Sequence, residues 1–331
     1  MEARYLKLPS ATQSGLTRFF TRADSVLYPM LVVPLTGLLP ARLAYRVAIA
    51  RGDLLYALDR DTRKRVEQSI QTGVGGKEPI PNLPSLTRAW FRYFSCNTVD
   101  SMRLLGDGKA LSRLVDVRGL DNLDAAIARG KGVVMFCSHL GSRATFALLG
   151  ARGYPVTMIG RATFGDDANK PTLVRMFHRL YRGRAVSYHA RVSGISNYPG
   201  LFGAAAKAAI ALRGNAIVGI AIDAKPKPQD VSRPVAVTFL NKHVSKAPGA
   251  VSIAQLTGAP LIMISIHRKE DWCHQVIEIS PPVSVEGETA DVFARCLALV
   301  EADIRRYPAQ YVWGLEGFWR LDPDEAGQDF T

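Results

Sequence analysis

Between residues 132 and 138 the chain reads GVVMFCS, an apolar run without alternation that follows Gly130 and ends on His139. Continuous apolar runs of this length, bounded by turn residues, fit strands buried on both faces of a sheet. Comparable short runs recur at 155–159, 216–222, 235–239, 260–266 and 275–279, with a shorter strand at 115–118. Helical spacing fills the intervals: 121–129, closed by Gly130, then 142–151, 172–181, 201–212, 249–255 and 290–307. This alternation predicts an α/β fold with a mainly parallel central sheet flanked by helices.

The first third of the chain has a different pattern. Residues 42–70 have helical spacing, with Leu43, Val47, Leu54, Leu55 and Leu58 on one side and Arg46, Arg51 and Arg60 elsewhere. A Gly/Pro-rich break covers 73–84. A second long helix is expected at 85–105, capped by Ser85 and directing Trp90, Phe94 and Met102 to the core. With no internal repeat and no long linker, the expected organisation is an N-terminal helical extension over 1–110 and an α/β domain over 111–331. Residues 25–41, SVLYPMLVVPLTGLLPA, carry no charge. A spanning helix needs about 20 apolar residues, and this run is shorter and interrupted by Pro29, Pro34 and Pro40. It reads as a monotopic membrane contact, a wall around a lipid chain, or a core element. The start, MEARYLKLPS, lacks the pattern of a secretory signal. The expected location is the cytoplasm, with peripheral contact to the inner face of the cell membrane as an option.

Composition and charge narrow the partners. The 331 residues are 47% hydrophobic and 21% charged, which excludes a fully disordered chain. Forty-two Lys and Arg stand against 29 Asp and Glu, a net charge of +13. The excess concentrates at 143–191, where nine Lys and Arg face only Asp166 and Asp167. Arg175, Arg179 and Arg182 share one helical face by spacing. Such a patch suits an acyl carrier protein or a coenzyme A thioester. It equally suits anionic lipid headgroups or the backbone of a tRNA, and a solvated helix face is the plain alternative. DNA is not an expected partner.

Other chemistry is not indicated. Cys96, Cys137, Cys273 and Cys296 have neither metal-ligand nor redox spacing and read as buried thiols. The six histidines form no HExxH-like set. The chain has no P-loop, GxGxxG or GxSxG pattern, so neither a metal nor a cofactor is expected. Residues 194–203, GISNYPGLFG, read as a flexible loop with the makings of a lid. Trp313 and Trp319 read as core packing.

The strongest chemical candidate is His139, at the carboxyl end of the apolar run, where open α/β sheets bind ligands. Leu140, Gly141 and Ser142 then open a helix. The stretch GKGVVMFCSHLGSRATF resembles the lysophospholipid acyltransferase superfamily, in particular the branch of bacterial lipid A late acyltransferases, whose motif is H-x4-D/E after a hydrophobic strand. VRGLDNLDAAIARGKG upstream and ALRGNAIVGIAIDAKP downstream are similar to flanking segments of that family. So are VAVTFLNKHVSKAPGAVSIAQLTGAPLIMISIHR and, near the end, YPAQYVW, which resembles a Pro-x-Gln-Trp-x-Trp terminus. The resemblance covers roughly 40–320 and lies in the order of the pieces rather than in any one.

The resemblance implies a glycerolipid acyltransferase-like fold and acyl transfer from a thioester to a lipid or glycolipid acceptor, with His139 as base. Arg161 resembles the family's basic residue at the next strand end and would bind a phosphate or the developing oxyanion. Ser142, Arg143 and the basic face of Arg175, Arg179 and Arg182 would contact substrate. The family's acid, five residues after the histidine, is Ala144 here. Three readings follow. Asp223, ending the apolar strand AIVGIAI, substitutes as the acid. Alternatively, the acceptor is an amine or hydroxylamine of a specialised pathway, with an aminoacyl-tRNA as a possible donor. Finally, the chain is an inactive relative that binds lipid or carrier.

Overall fold

The computed structural model describes residues 33–103, 113–141, 146–160, 192–196, 203–223 and 234–313. It is an α/β fold with a mostly parallel central sheet flanked by helices and an N-terminal helical layer. The strands are β1 (Val115–Arg118), β2 (Val133–Cys137), β3 (Val156–Gly160), β4 (Val192–Ser196), β5 (Ile217–Ala221), β6 (Val235–Phe239), β7 (Lys242–Lys246), β8 (Leu261–Arg268) and β9 (Gln275–Val283). Seven of them form one sheet in the order β1-β9-β8-β2-β5-β3-β4, in which only the β8–β9 pair is antiparallel.

The apolar runs behave as their lack of alternation requires. Every residue of β2 and of β8 is buried. Val134 and Phe136 of β2 join one core, and Val133, Met135 and Cys137 join the core on the opposite face. The short helices α5 (Leu120–Ile127) and α6 (Phe146–Ala151) cover that second face, through Leu123, Leu148 and Leu149. The first face carries α7 (Ala204–Arg213), α8 (Gly249–Thr257) and α9 (Thr289–Arg306). Residues Leu55, Val66, Ile70, Trp90 and Phe91 of the N-terminal layer pack into the same core.

That layer consists of the short α1 (Val33–Thr36), then α2 (Ala41–Leu58), α3 (Arg60–Ile70) and α4 (Leu83–Arg103). The single helix expected over 42–70 is two, because Asp59 accepts a hydrogen bond from the Thr62 amide at 3.0 Å and starts a new helix. Ser85 is not the cap of α4, which begins two residues earlier. The buried face of α2 is also not the leucine face. Ala44, Tyr45, Ala48, Gly52 and Leu55 are buried, whereas Leu43 and Leu54 are about half exposed, at 45% and 54%. The reason is close helix packing: a Cβ on Gly52 would lie 2.5 Å from the Arg92 Cα of α4. Small residues at the crossing outweigh the hydrophobic count. Trp90 is buried and Phe94 packs at the edge of the core; the side chain of Met102 lies outside the described residues.

Two strands differ from expectation. β6 is not part of the central sheet; it pairs with β7 in a separate antiparallel hairpin. Its residues alternate between half-buried and exposed positions, as a one-sided strand must. Leu240 and Asn241 at the turn both have positive φ, the backbone of a tight two-residue hairpin turn. Residues 194–196, expected to begin a loop, end the edge strand β4, which runs parallel to β3. The helix expected at 172–181 and Trp319 lie outside the described residues. Trp313 is fully buried, edge-on to Tyr311. All four cysteines are buried and unpaired with one another.

The sheet and α9 share one titratable group with a measurable consequence. Ser265 of β8 donates to Asp303 of α9 at 2.5 Å. Burial pushes the Asp303 carboxyl up to about 6 against the pull of that hydrogen bond. A group raised in the folded state contributes stability that is complete below its unfolded value, near 4, and is lost as pH rises through about 6. Asp303→Asn keeps the acceptor and removes the ionisation. Thermal melts should therefore show the variant stabilised at pH 8, on the order of 2 kcal/mol, and level with the parent at pH 4. Equal stabilities at both pH values would contradict a buried, raised carboxyl.

Candidate active site

β2 and β5 run parallel and in register, with Cys137 opposite Ala221, and the Ile222 amide continues the ladder onto the Cys137 carbonyl at 3.0 Å. Counting two residues beyond each strand brings His139 and Asp223 to the same level at the carboxyl end of the sheet. Both are buried, His139 8% exposed and Asp223 not at all. His139 Nδ1 lies 2.8 Å from Asp223 Oδ1, and the His139 backbone N–H donates to Asp223 Oδ2 at 2.8 Å. One carboxylate thus fixes both the ring and the main chain of the histidine.

The loop that carries His139 is held by local chemistry. The Ser138 hydroxyl accepts from the Leu140 amide at 3.1 Å. Gly141 has φ +79°, and a Cβ there would run into the carbonyl oxygen of Ile266. The chain can cross β8 this closely only with glycine.

Two further side chains complete the setting of Asp223, and sequence reasoning named neither as functional. Tyr311 donates its hydroxyl to Asp223 Oδ2 at 2.9 Å. Lys246 of β7, 4% exposed, donates from Nζ to the Asp223 carbonyl and lies 5.0 Å from the centroid of the Phe239 ring. Burial alone pushes the Asp223 carboxyl up. The charge and hydrogen bonds of His139, with the positive charge of Lys246, outweigh it and hold Asp223 at about 2. Tyr311 moves the opposite way, well above the usual phenol range, by burial and by the adjacent carboxylate. Signals for both existed: Tyr311 sits in the YPAQYVW segment, and Lys246 ends a hairpin strand at a buried position.

The YPAQYVW segment is a latch. Trp90 of α4 donates to the Tyr311 carbonyl at 2.8 Å. The Gln310 side chain accepts from the Arg268 amide at 2.7 Å and donates to the Arg268 carbonyl at 2.9 Å. Arg268 in turn pairs with Asp100 of α4, whose other oxygen accepts from Tyr45 at 2.7 Å. The N-terminal layer, the end of β8 and the Asp223 carboxylate are therefore tied through one terminal segment.

The remaining sequence candidates, Arg161, Ser142, Arg143, Arg175, Arg179 and Arg182, lie outside the described residues, as does Ala144. Among the described residues no group of three or more His, Cys, Asp or Glu is arranged to hold a metal. No described helix is long and apolar enough to cross a membrane.

A buried histidine–carboxylate pair at the carboxyl end of a mainly parallel sheet is the geometry of an acid–base site. Residues 30–320 match the family described as bacterial lipid A biosynthesis acyltransferase, and the chain belongs to that family. Among curated proteins it is similar to a lipid A biosynthesis palmitoleoyltransferase of Escherichia coli (strain K12) and a lipid A biosynthesis acyltransferase of Shigella flexneri. Each is 29% identical over 204 residues, which cover 60% of this chain. The chain spans 59% of the length of these relatives.

Gly141→Ala tests the loop. A left-handed backbone at a non-glycine residue costs about 1–2 kcal/mol before the clash with Ile266 is added. Urea unfolding of the variant should show at least that loss. A variant as stable as the parent would show that the His139 loop does not cross β8 so closely.

Proposed function

We propose that this protein is an acyltransferase, with His139 as general base and Asp223 as the carboxylate that orients it. The observation that carries the reading is the 2.8 Å contact between His139 Nδ1 and Asp223 Oδ1 beyond adjacent parallel strands. With the Nδ1 proton directed to an ionised carboxylate, the neutral imidazole carries its lone pair on Nε2. Nε2 takes the proton of an acceptor hydroxyl or amine as that group attacks the carbonyl of a thioester. The tetrahedral intermediate then expels the thiolate, which receives the proton back from the imidazolium. Asp223 stays ionised throughout, because its carboxyl is held near 2.

The family and its relatives support a lipid-like acceptor. Acyl carrier protein or coenzyme A is the proposed donor, suited to the basic stretch at 143–191, with Arg161 and helix N–H groups stabilising the oxyanion. Because the imidazole already has a carboxylate, the reading does not require a specially nucleophilic acceptor. An amine or hydroxylamine acceptor with an aminoacyl-tRNA donor is the rival that a donor screen would reveal. The binding-only alternative loses ground to the satisfied, ionised pair. Exposed Leu35 of α1 and Leu38 just after it, with Leu43 and the exposed Arg42 and Arg46 of α2, support peripheral contact with a membrane surface.

A mass-spectrometric transfer assay with carrier-protein, coenzyme A and aminoacyl-tRNA donors tests this. His139→Ala should lower turnover by about 10²–10⁴-fold and Asp223→Asn by at least about tenfold, with folding checked by circular dichroism. Product formation indifferent to His139→Ala would overturn the base assignment. Lys246 gives a second expectation. Its positive charge disfavours a charged imidazolium nearby, so Lys246→Met should move the acid limb of the rate profile to higher pH, and Lys246→Arg should leave it in place. A Lys246→Met protein with an unshifted limb would remove Lys246 from the electrostatics of the pair.

A further inference from the structure

A cavity of about 340 Å³ opens beside the edge strand β1, lined by Arg113, Val115, Asp116, Arg152, Lys269 and His274 among others. Its volume is at the lower end for sites that hold a small organic molecule. Its walls come from separate parts of the chain: the entry to β1, the end of α6, and the turn between β8 and β9. Arg113, Arg152 and Lys269 therefore line a space that holds one carboxylate.

The ion pairs leave two of the cations uncommitted. Asp116 is within 3.6 Å of Lys269 and 3.5 Å of Arg118, so its charge is already balanced. His274 is engaged by Asp271 at 2.5 Å. Among the described residues Arg113 and Arg152 have no carboxylate partner. Two guanidinium groups on the wall of one cavity repel each other, and a dianion placed between them relieves the repulsion. The planar fork of arginine fits the oxygens of a phosphate in pairs, which a lysine does not do. β1 adds a further element: it is an outermost strand, paired with β9 on one side only among the described strands, so one backbone edge faces away from the sheet.

The position is informative. β8 runs parallel to β2, and β9 begins where β8 ends, with Val115 of β1 opposite Gln275. Lys269, His274 and the start of β1 therefore lie at the same end of the sheet as His139. Three strand spacings separate β1 from β2 in the order of the sheet, about 14 Å at the usual interstrand distance.

We propose that this cavity is a phosphate-binding site, distinct from the His139 centre, in which Arg113 and Arg152 hold a phosphate ester. The phosphate arrives either on the sugar of an acceptor headgroup or on the nucleotide end of a coenzyme A donor. Such a site fixes an anionic group of the molecule whose reacting end enters the His139 centre. Binding here is read without turnover, so it stands or falls separately from the acyl-transfer reading.

The test is a titration followed by the Val115 and Asp116 amide resonances, at constant ionic strength with chloride as reference. The probes are inorganic phosphate, glucosamine 1-phosphate and coenzyme A. Saturable shifts with phosphate-bearing probes and none with chloride are expected. Arg113→Ser and Arg152→Ser should each weaken them roughly five- to tenfold, while Arg213→Ser, an exposed arginine on α7, should leave them unchanged. All three sites are exposed, so the variants should fold. Tighter binding of glucosamine 1-phosphate assigns the site to the acceptor headgroup, and tighter binding of coenzyme A assigns it to the donor. Equal binding of all three probes assigns it to the phosphate group alone. Shifts reproduced by chloride, or weakened equally by Arg213→Ser, would overturn the site.

Discussion

Everything near the reacting end of this fold is arranged around one fully buried carboxylate. Taking a charge out of water costs several kcal/mol unless other groups satisfy it. Asp223 meets that demand with donors from separate elements: the backbone and ring of His139, the hydroxyl of Tyr311, and, at its carbonyl, the ammonium of Lys246. Those donors belong to the loop after β2, the terminal segment and the hairpin. Each of these pieces therefore has its position fixed by the same anion. The electrostatics follow from the geometry, since burial alone would push the carboxyl up, and the hydrogen bonds from His139 with the charge of Lys246 keep it ionised.

The joint at the far end of β8 works by the same rule with different parts. Asp100 and Arg268 form a buried pair, with Tyr45 donating to Asp100 and the Arg268 guanidinium 5.0 Å from the Tyr45 ring centroid. Burial pushes the Asp100 carboxyl up while Arg268 pulls it down. Breaking such a pair strands a charge, so the N-terminal layer cannot shift independently of β8. Gln310 reads out that position, because its amide grips both backbone groups of Arg268 while its neighbour Tyr311 reaches Asp223. The helical layer is thus mechanically linked to the candidate active site.

What the sequence made legible tracks how local each cause is. The strands buried on both faces were visible because β2 carries no polar position to alternate with and β8 carries none before Ser265, and the strand ends placed His139 and Asp223 by simple counting. The face of α2 was not visible, because packing at Gly52 depends on the α4 backbone and not on the hydrophobicity of α2. The hairpin was misread as a sheet strand although Val235 and Val237 alternate with Ala236 and Thr238, a pattern that marks a strand with one wet face. Lys246 and Tyr311 stayed hidden as site residues for a deeper reason. A lysine and a tyrosine are unremarkable in composition, and only the long-range pairing of distant segments brings them to one carboxylate. The basic stretch at 143–191 was legible as charge, but its placement lies outside the described residues, apart from Arg152.

The source of the carboxylate has a consequence for how the site forms. An acid five residues after the histidine would belong to the same loop and the helix it opens, and would meet the imidazole once that short segment folded. Ala144 removes that local option. Asp223 is 84 residues away and meets His139 only when β5 docks on β2 in the observed register. A slip of one residue would turn the side chain to the other face of the sheet. Non-local contacts of this kind are made late, after loop closure has been completed. The His139–Asp223 pair is therefore a product of the finished fold, and its geometry depends on the sheet, the hairpin and the terminal latch being in place together.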